Sequence, residues 1–264
     1  MSVWRLLKFE TYNAFMNMAI DEAVLRARIE DRVSNSLRFY RWKPSAVSIG
    51  KFQKIENEVQ LENCRKYGVD VVRRISGGGT VYHDFEDEIT YSVVLGRENP
   101  SAMDITAVYS QVYAGIAEAL KILGISADFS QGDERNCPNL TVKGKKISGS
   151  AQSHKSGVVL QHGTVLLDVD LEKMFTLLRV PWAKTCMDVV NVAKHKITSI
   201  RKELGKAVSI EEVNDALVKG FRNALNMEVV HGELTSYEKG LAEKLCREKY
   251  ATDEWNFDGK SQLD

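Results

Sequence analysis

The chain contains, at residues 73–84, the stretch Arg73-Arg74-Ile75-Ser76-Gly77-Gly78-Gly79-Thr80-Val81-Tyr82-His83-Asp84. Two arginines end an apolar strand, and three consecutive glycines interrupt the strand-forming residues around them. Because glycine has no Cβ, its backbone N–H group can turn toward an anion and approach it closely. The arginines add forked donors suited to a carboxylate or a phosphate. The stretch therefore predicts a binding loop rather than a flexible connector.

A second glycine-rich segment, residues 144–152, reads Gly144-Lys145-Lys146-Ile147-Ser148-Gly149-Ser150-Ala151-Gln152. Alternation along a strand sends Lys145 and Ile147 to one face and Lys146 and Ser148 to the other. The small residues that follow would let a ligand lie against this strand. A lysine with an ordinary pKa of about 10.4 stays cationic, so its expected role is to polarise a carbonyl or steady a phosphoryl oxygen during acyl transfer.

Two further residues are weaker candidates. His162 stands alone on a strand before a glycine, where a histidine is more often structural than catalytic. Cys137 lies in a polar loop beside Arg135, which would favour the thiolate, although most loop cysteines are not nucleophiles. The chain has no Walker A loop, no GxGxxG, no HExxH and no GxSxG sequence, so any phosphate or acyl chemistry must use another device.

The periodicity around these segments predicts an α+β fold with mixed β-sheets flanked by helices. Strands are predicted at residues 6–9, 37–42, 47–50, 69–75 and 88–95, and a second sheet segment at 125–167. Helices are predicted at 15–28, 58–67, after Asp104 as far as Gly124, and at 171–178, 209–225 and 238–250. Without a repeat or a linker, residues 1–264 are interpreted as one domain with a helical C-terminal part from about residue 170.

The composition excludes several classes of protein. The 264 residues include 36 Lys+Arg and 36 Asp+Glu, so the net charge of zero gives no footprint for nucleic-acid binding. No apolar run reaches the length of about 18 residues that a membrane span needs, and the N-terminus does not resemble a signal peptide. Four scattered cysteines form no CxxC pair. We therefore expect a cytoplasmic protein with neither nucleic acid nor a membrane among its partners.

In combination, these motifs resemble those of the lipoate-protein ligase A family, within the wider biotin/lipoate protein ligase group. The resemblance covers essentially the whole chain and is carried by Leu37-Arg-Phe-Tyr-Arg-Trp, Ser48-Ile-Gly, residues 73–84, residues 144–152, His162-Gly-Thr-Val-Leu-Leu and Glu254-Trp-Asn-Phe. It implies a catalytic-domain fold of that group. It further implies an ATP- and Mg²⁺-dependent enzyme that converts lipoate to lipoyl-AMP. The lipoyl group would pass to a lysine of lipoyl-carrier domains, as in 2-oxoacid dehydrogenases or the H protein of glycine cleavage.

The resemblance also assigns roles to individual residues. Lys146 matches the family's essential lysine and would contact the acyl carbonyl and the phosphate. Arg74 would hold the acid and the adenylate together with the glycine loop. The complete set implied for binding is Arg74, Ser76, Gly77, Gly78, Gly79, His83, Lys146, Gly149 and His162.

Two departures from the family pattern matter. Family members usually carry Asn-Asp before the strand that precedes the lysine, whereas this chain has Pro138-Asn139. The uncharged amide of Asn139 is then the candidate Mg²⁺ ligand. Bacterial ligases of this type also have an additional C-terminal domain, and this chain ends soon after Glu254-Trp-Asn-Phe. A separate accessory-domain protein would then supply that function.

These departures leave two alternatives to the ligase. Cysteine-dependent octanoyltransferases of the same group share GSAQ followed by LQHG and use a loop thiol to take octanoate from acyl-carrier protein. Cys137 is the nucleophile in that second reading. The third is a non-catalytic lipoyl-domain-binding protein. The sequence ranks the transferase second, because Cys137 lies closer to Lys146 than that family leads one to expect. The non-catalytic protein ranks last, because Lys146 and the glycine run are intact.

Overall fold

A computed structural model describes residues 3–96, 104–132 and 137–263. Its strands are β1 Val3–Leu7, β2 Glu10–Tyr12, β3 Ser36–Trp42, β4 Ala46–Ile49, β5 Asp70–Arg73, β6 Val81–His83, β7 Glu88–Leu95, β8 Asp128–Ser130, β9 Asn139–Val142, β10 Lys145–Lys155, β11 Val158–Leu166 and β12 Glu228–Gly232. Its α-helices are α1 Ala14–Ile29, α2 Ile55–Glu58, α3 Leu61–Tyr67, α4 Ile105–Ile122, α5 Leu171–Leu177, α6 Cys186–Ala193, α7 Ile200–Leu204, α8 Ile210–Leu225 and α9 Ser236–Leu245. Two π-helical turns, Cys246–Tyr250 and Glu254–Asp258, follow α9.

The strands form one large and one small mixed sheet. The large sheet has the order β12-β1-β3-β7-β11-β10-β9-β8, with β2 added beside β3. Pairing is parallel from β12 through β1 to β3 and antiparallel from β3 onward. In the small sheet, β4 is central, parallel to β5 and antiparallel to β6. The predicted α+β architecture with mixed sheets is confirmed.

Apolar side chains of the large sheet are covered on both faces. On one face, Tyr91 of β7 packs in a buried cluster with Ile116 of α4 and Phe221 of α8. On the other, Tyr40 of β3 packs with residues of α1 and α9, including Met18. Burying each such large side chain contributes about 1.5–3 kcal/mol. The sheet is therefore a rigid platform for any site built at its edge.

Several predicted elements are confirmed. The helix expected at 15–28 is α1, and the helix expected after Asp104 is α4, where the Asp104 carboxylate accepts the N–H groups of Thr106 and Ala107. The strand expected at 88–95 is β7, residue for residue. Gly68 ends α3 in the left-handed conformation, at φ +62°, which favours glycine.

Three expectations about the fold were wrong. The strands between residues 125 and 167 join the large sheet, and the separate sheet is built from β4, β5 and β6 instead. The C-terminal part is not purely helical, because β12 pairs with β1. The helix expected at 58–67 begins only at Leu61, as α3, because the backbone at Val59 is extended and Glu58 ends the separate helix α2. Across the described residues, no helix combines the length and apolarity needed to cross a membrane.

Candidate active site

A cavity of about 150 Å³ opens between the glycine loop after β5, the paired strands β10 and β11, and helix α1. Of the residues predicted from sequence, it is lined by Arg74, Gly78, Gly79, His83, Cys137, Lys146, Gly149 and His162. Ser76 and Gly77 stand immediately behind this lining and contact it through hydrogen bonds. The two glycine-rich segments therefore meet at one site.

The cavity changes character with depth. Its inner wall includes the side chains of Met18, Tyr40 and Trp42, all at most 3% exposed. Its outer rim includes Lys146 and Cys137, both exposed. A ligand with an apolar tail and a polar reacting group would thus place the tail inward and the reacting group beside the thiol and the ammonium.

The guanidinium of Arg74 is bonded entirely to the protein. Nε donates to Ser76 Oγ at 3.1 Å, Nη1 to the carbonyl and hydroxyl oxygens of Ser48, and Nη2 to the carbonyls of Gly77 and Gly79. These bonds use all five N–H groups that an arginine has. Burial lowers the pKa of Arg74 to about 10. Arg74 therefore shapes the glycine loop from behind and contributes its charge without offering a free donor.

The glycine loop leaves its own donors available. In the part of the chain that the structure describes, the backbone N–H groups of Gly77, Gly78 and Gly79 have no hydrogen-bond partner. Gly78 has φ +86°, and a Cβ there would lie 3.2 Å from Arg74 Nη2. A Cβ at Gly50 would collide with the carbonyl of Gly78. The sequence did not reveal this requirement at Gly50, because the two glycines meet only in the folded chain.

A buried relay runs from Asp21 through His162 to Ser76. His162 Nδ1 lies 2.9 Å from Asp21 Oδ2, and His162 Nε2 lies 2.6 Å from Ser76 Oγ. Arg74 also donates to Ser76 Oγ, so the serine joins the histidine ring to the arginine. Burial alone would raise the pKa of Asp21, but the bond from His162 and the charge of Arg38 hold it below its ordinary value. His162 thus lines the cavity as a ring that is fixed at both nitrogens.

A second relay mirrors the first on the opposite side of Arg74. Glu88 Oε1 lies 2.7 Å from His83 Nδ1, and His83 Nε2 lies 2.8 Å from Ser48 Oγ, which also accepts from Arg74. The His83 ring stacks on Trp42 with centroids 4.1 Å apart. Sequence analysis had identified both histidines but neither Asp21 nor Glu88, the carboxylates that orient them.

The Lys146 side chain lies along the outer part of the cavity, against Gly149. A Cβ at Gly149 would meet the Lys146 ammonium, so a side chain there would displace the end of the lysine. Although part of the side chain is exposed, surrounding protein lowers the pKa of Lys146; a charge at Cys137 acts against this shift, and Arg74 adds to it. The expected alternation fails after Lys146, because the register of β10 shifts between Lys146 and Ser148.

Cys137 reaches the same cavity from the start of β9. Its charge interacts with both Lys146 and Arg74. The next residue is anchored, because Tyr113 Oη donates to the Pro138 carbonyl at 3.0 Å. Arg135, which the sequence placed beside this thiol, lies outside the described residues. The thiol therefore faces two cations supplied by distant strands rather than by its own loop.

These features agree with comparisons to known proteins. The sequence model of the lipoyl protein ligase A/B catalytic domain matches residues 13–222. The chain belongs to this lipoyl protein ligase A/B family. It is similar to the octanoyltransferase LipM of Clostridioides difficile, with 38% identity over 97% of this chain and 99% of that protein. The octanoyltransferase LipM of Bacillus subtilis is 34% identical over 96% of this chain and 98% of its own.

Solved structures of the family also resemble this chain. A bipartite lipoate protein ligase from Thermoplasma acidophilum, described together with its E2 lipoyl domain, superposes with a TM-score of 0.83 at 33% identity, covering 97% of this chain and 96% of that one. A lipoate-protein ligase A bound with ATP gives a TM-score of 0.83 at 32% identity, with coverage of 97% and 99%. The resemblance inferred from sequence and the lipoyl protein ligase A/B fold are thus confirmed.

The expected activity, however, was wrong. The curated relatives that match nearly the whole chain are named octanoyltransferases, which contradicts an ATP-dependent lipoate ligase forming lipoyl-AMP. The expectation that the chain uses ATP, Mg²⁺ and lipoate was therefore wrong as well. The reason for the error is that ligases and octanoyltransferases both resemble this chain along nearly its whole length, so the family resemblance alone did not distinguish them.

The role expected of Asn139 as a Mg²⁺ ligand loses its basis with that activity. Its Nδ2 donates to the carbonyl of Cys137 at 3.3 Å. Across residues 3–96, 104–132 and 137–263, no group of three or more His, Cys, Asp or Glu side chains is arranged to hold a metal ion. The residues of this region fit the placement of a thiol better than the binding of a metal.

Proposed function

We propose that this chain is a cysteine-dependent octanoyltransferase. It takes an octanoyl group from the thioester of an acyl-carrier protein onto Cys137 and passes it to a lysine of a lipoyl-carrier protein. The observation that carries the proposal is the position of the Cys137 thiol, on the rim of an apolar cavity and beside Lys146. The names of the relatives in the lipoyl protein ligase A/B family support octanoyl transfer.

In the first half-reaction, the Cys137 thiolate attacks the thioester carbonyl. A new C–S bond forms to Cys137, the C–S bond to the carrier breaks, and the carrier thiolate takes up the proton that Cys137 lost. The Lys146 side chain lies on the same rim as the reacting sulfur. The free amides of Gly78 and Gly79, which line the cavity, are donors for the oxyanion of the tetrahedral intermediate.

In the second half-reaction, the neutral amine of the acceptor lysine attacks the octanoyl-Cys137 thioester. An amide bond forms, the C–S bond breaks, and the amine proton goes to the departing thiolate. No ATP is needed, since the thioester is already activated.

The inner wall of the cavity suits the octanoyl tail. Met18, Tyr40 and Trp42 present apolar surface, and the histidines that border this wall are held in place by their serine partners. Transferring each methylene of the tail from water would contribute about 0.8 kcal/mol. Binding energy from the tail would hold the thioester carbonyl near Cys137.

The test measures the acyl donor. The purified chain is mixed with octanoyl-acyl-carrier protein and a lipoyl-carrier acceptor without ATP, and in parallel with free octanoate or lipoate, ATP and Mg²⁺. We expect acylated acceptor only in the first mixture. Cys137→Ser should abolish it, and Cys246→Ser, at a half-buried thiol outside the cavity lining, should not. Modification that requires ATP, or acceptor binding without turnover, would refute the proposal.

A further inference from the structure

The segment between α5 and α7 differs from the rest of the chain in charge and exposure. Residues 179–196 contain four Lys or Arg residues and one acidic residue, Asp188, although the whole chain has no net charge. The side chains of Trp182, Met187 and Val192 are 60%, 48% and 40% exposed. A tryptophan in solvent beside other apolar side chains is typical of a surface that another molecule covers. We call residues 182–196 the α6 surface.

The lysines of the α6 surface form no ion pairs within the described residues. Lys184, Lys194 and Lys196 are exposed, and Lys194 only donates a hydrogen bond to the uncharged Asn191. The one acidic residue, Asp188, accepts the N–H groups of the capping box at the start of α6. The surface therefore presents a net positive charge around an apolar centre.

The α6 surface is joined directly to the candidate active site. The carbonyl of Lys196 accepts the N–H of Lys146 at 2.8 Å, and Thr198 N–H donates to the Lys146 carbonyl at 2.9 Å. Next to this junction, the first residue of β10 adds Lys145, whereas Lys143 in the preceding turn is paired with Glu203 at 3.2 Å. A molecule bound to the α6 surface would thus lie beside the rim that carries Lys146.

We propose that the α6 surface is the docking site of the acyl donor, a carrier protein with an acidic surface that delivers the octanoyl thioester to Cys137. This inference rests on the proposed function. Complementary charge steers association and fixes orientation, and an exposed aromatic side chain supplies the anchor. The cations favour the donor over the acceptor: the donor thioester hangs from an anionic phosphodiester arm, whereas the acceptor presents an amine that is cationic in its resting form.

The test compares a protein-bound donor with a small donor. The triple variant Lys184→Glu/Lys194→Glu/Lys196→Glu should lower kcat/KM for octanoyl-acyl-carrier protein by about tenfold or more, mainly through KM. Its kcat/KM for octanoyl-pantetheine should equal that of the wild type. Added salt should weaken the wild-type reaction with the carrier protein and leave the variant nearly unaffected.

Two further variants separate docking from damage. The matched control Lys219→Glu/Lys239→Glu/Lys244→Glu reverses the charge of three exposed lysines on α8 and α9, outside the cavity lining. It should leave kcat/KM unchanged for both donors. Trp182→Ala should raise the KM for octanoyl-acyl-carrier protein without changing the melting temperature.

The outcomes distinguish a failure of the docking site from a failure of the proposed octanoyltransferase activity. Equal rates for the wild type and the triple variant with the carrier-bound donor would overturn the docking site. A loss shared equally by both donors, or a KM change confined to the lipoyl-carrier acceptor, would overturn it as well. A wild type inactive with both donors would instead refute the transferase function.

Discussion

Arg74 Nε donates a hydrogen bond to Ser76 Oγ at 3.1 Å, and this contact joins the buried arginine to the histidine behind the glycine loop. His162 Nε2 lies 2.6 Å from the same hydroxyl oxygen. On the other arm of the guanidinium, Nη1 donates to Ser48 Oγ, which lies 2.8 Å from His83 Nε2. One buried cation thereby connects two fixed histidine rings and supports the loop that carries the free amides.

Asp21 should be a major source of stability through this relay. Its carboxylate bonds Arg38, Tyr40 and His162, so Asp21→Asn leaves the buried Arg38 charge uncompensated. We expect the free energy of unfolding to fall by about 3–5 kcal/mol at pH 7. Because the pKa of Asp21 is lowered by folding, its contribution is present above the unfolded value of about 3.9 and is lost as pH falls through the folded value.

Urea unfolding of the wild type and Asp21→Asn at several pH values measures this effect. The difference between the two proteins should be largest near neutral pH and shrink below about pH 4. Glu30→Gln, at an exposed ion pair with Arg32, is the control and should change stability little. A difference independent of pH would show that the Asp21 charge is not responsible.

Gly78 should tolerate no side chain. Its φ of +86° is unfavourable for a β-branched residue, and a Cβ would press on Arg74 Nη2. We expect Gly78→Val to cost about 1–3 kcal/mol of stability and to reduce kcat more than KM, because the oxyanion donors are displaced. The matched control is Gly240→Ala in α9, where the new methyl group meets nothing and helix propensity improves. If Gly78→Val kept the wild-type turnover, the glycine loop would have no role in catalysis.

Lys146 should matter for chemistry and not for folding. Its pKa is lowered in the folded protein, so below that folded value the ammonium opposes folding. Lys146→Met should therefore keep or slightly raise the melting temperature at pH 7. Turnover should nevertheless fall by about 10²–10³-fold, the loss typical of removing one charge-stabilising group. Calorimetry and steady-state kinetics on the same sample decide between the two roles, and a melting point that falls along with the rate would point to a structural role.

Tyr113 should position Cys137. Its hydroxyl donates to the Pro138 carbonyl and accepts from Ser150 Oγ at 2.8 Å. Tyr113→Phe should cost about 1 kcal/mol of stability and slow acylation of the thiol several-fold. Tyr109→Phe, on the ring stacked beside it, removes a hydroxyl without a hydrogen bond among the described residues and is the control. Equal acylation rates in both variants would exclude this positioning role.

Elements with strong local patterns could be predicted, and those made by distant pairing could not. β7 was predicted because Ile89, Tyr91, Val93 and Leu95 alternate toward one buried cluster. β12 was missed because Glu228–Gly232 is mostly exposed and gains its strand geometry only by pairing with β1 at the other end of the chain. The local pattern around β12 therefore contained no signal to find.

The site followed the same rule. The glycine loop and Lys146 were found because each motif is spelled out in consecutive residues. Asp21 was missed because it lies 141 residues from the His162 that it orients. These motifs did not distinguish a ligase from an octanoyltransferase, and the ligase was chosen although the relatives are named octanoyltransferases. Cys137 is the residue on which the two functions differ. The sequence named it as the alternative nucleophile, and the fold places it in the same cavity as Lys146.

Intact-protein mass spectrometry of the acyl-enzyme tests the central claim most directly. The chain is incubated with octanoyl-acyl-carrier protein alone, without ATP or acceptor, then digested to locate the adduct. We predict a mass increase of one octanoyl group on Cys137, removed by hydroxylamine or by addition of a lipoyl-carrier acceptor, and absent in Cys137→Ser. An unmodified Cys137 in a preparation that still octanoylates the acceptor would contradict the account.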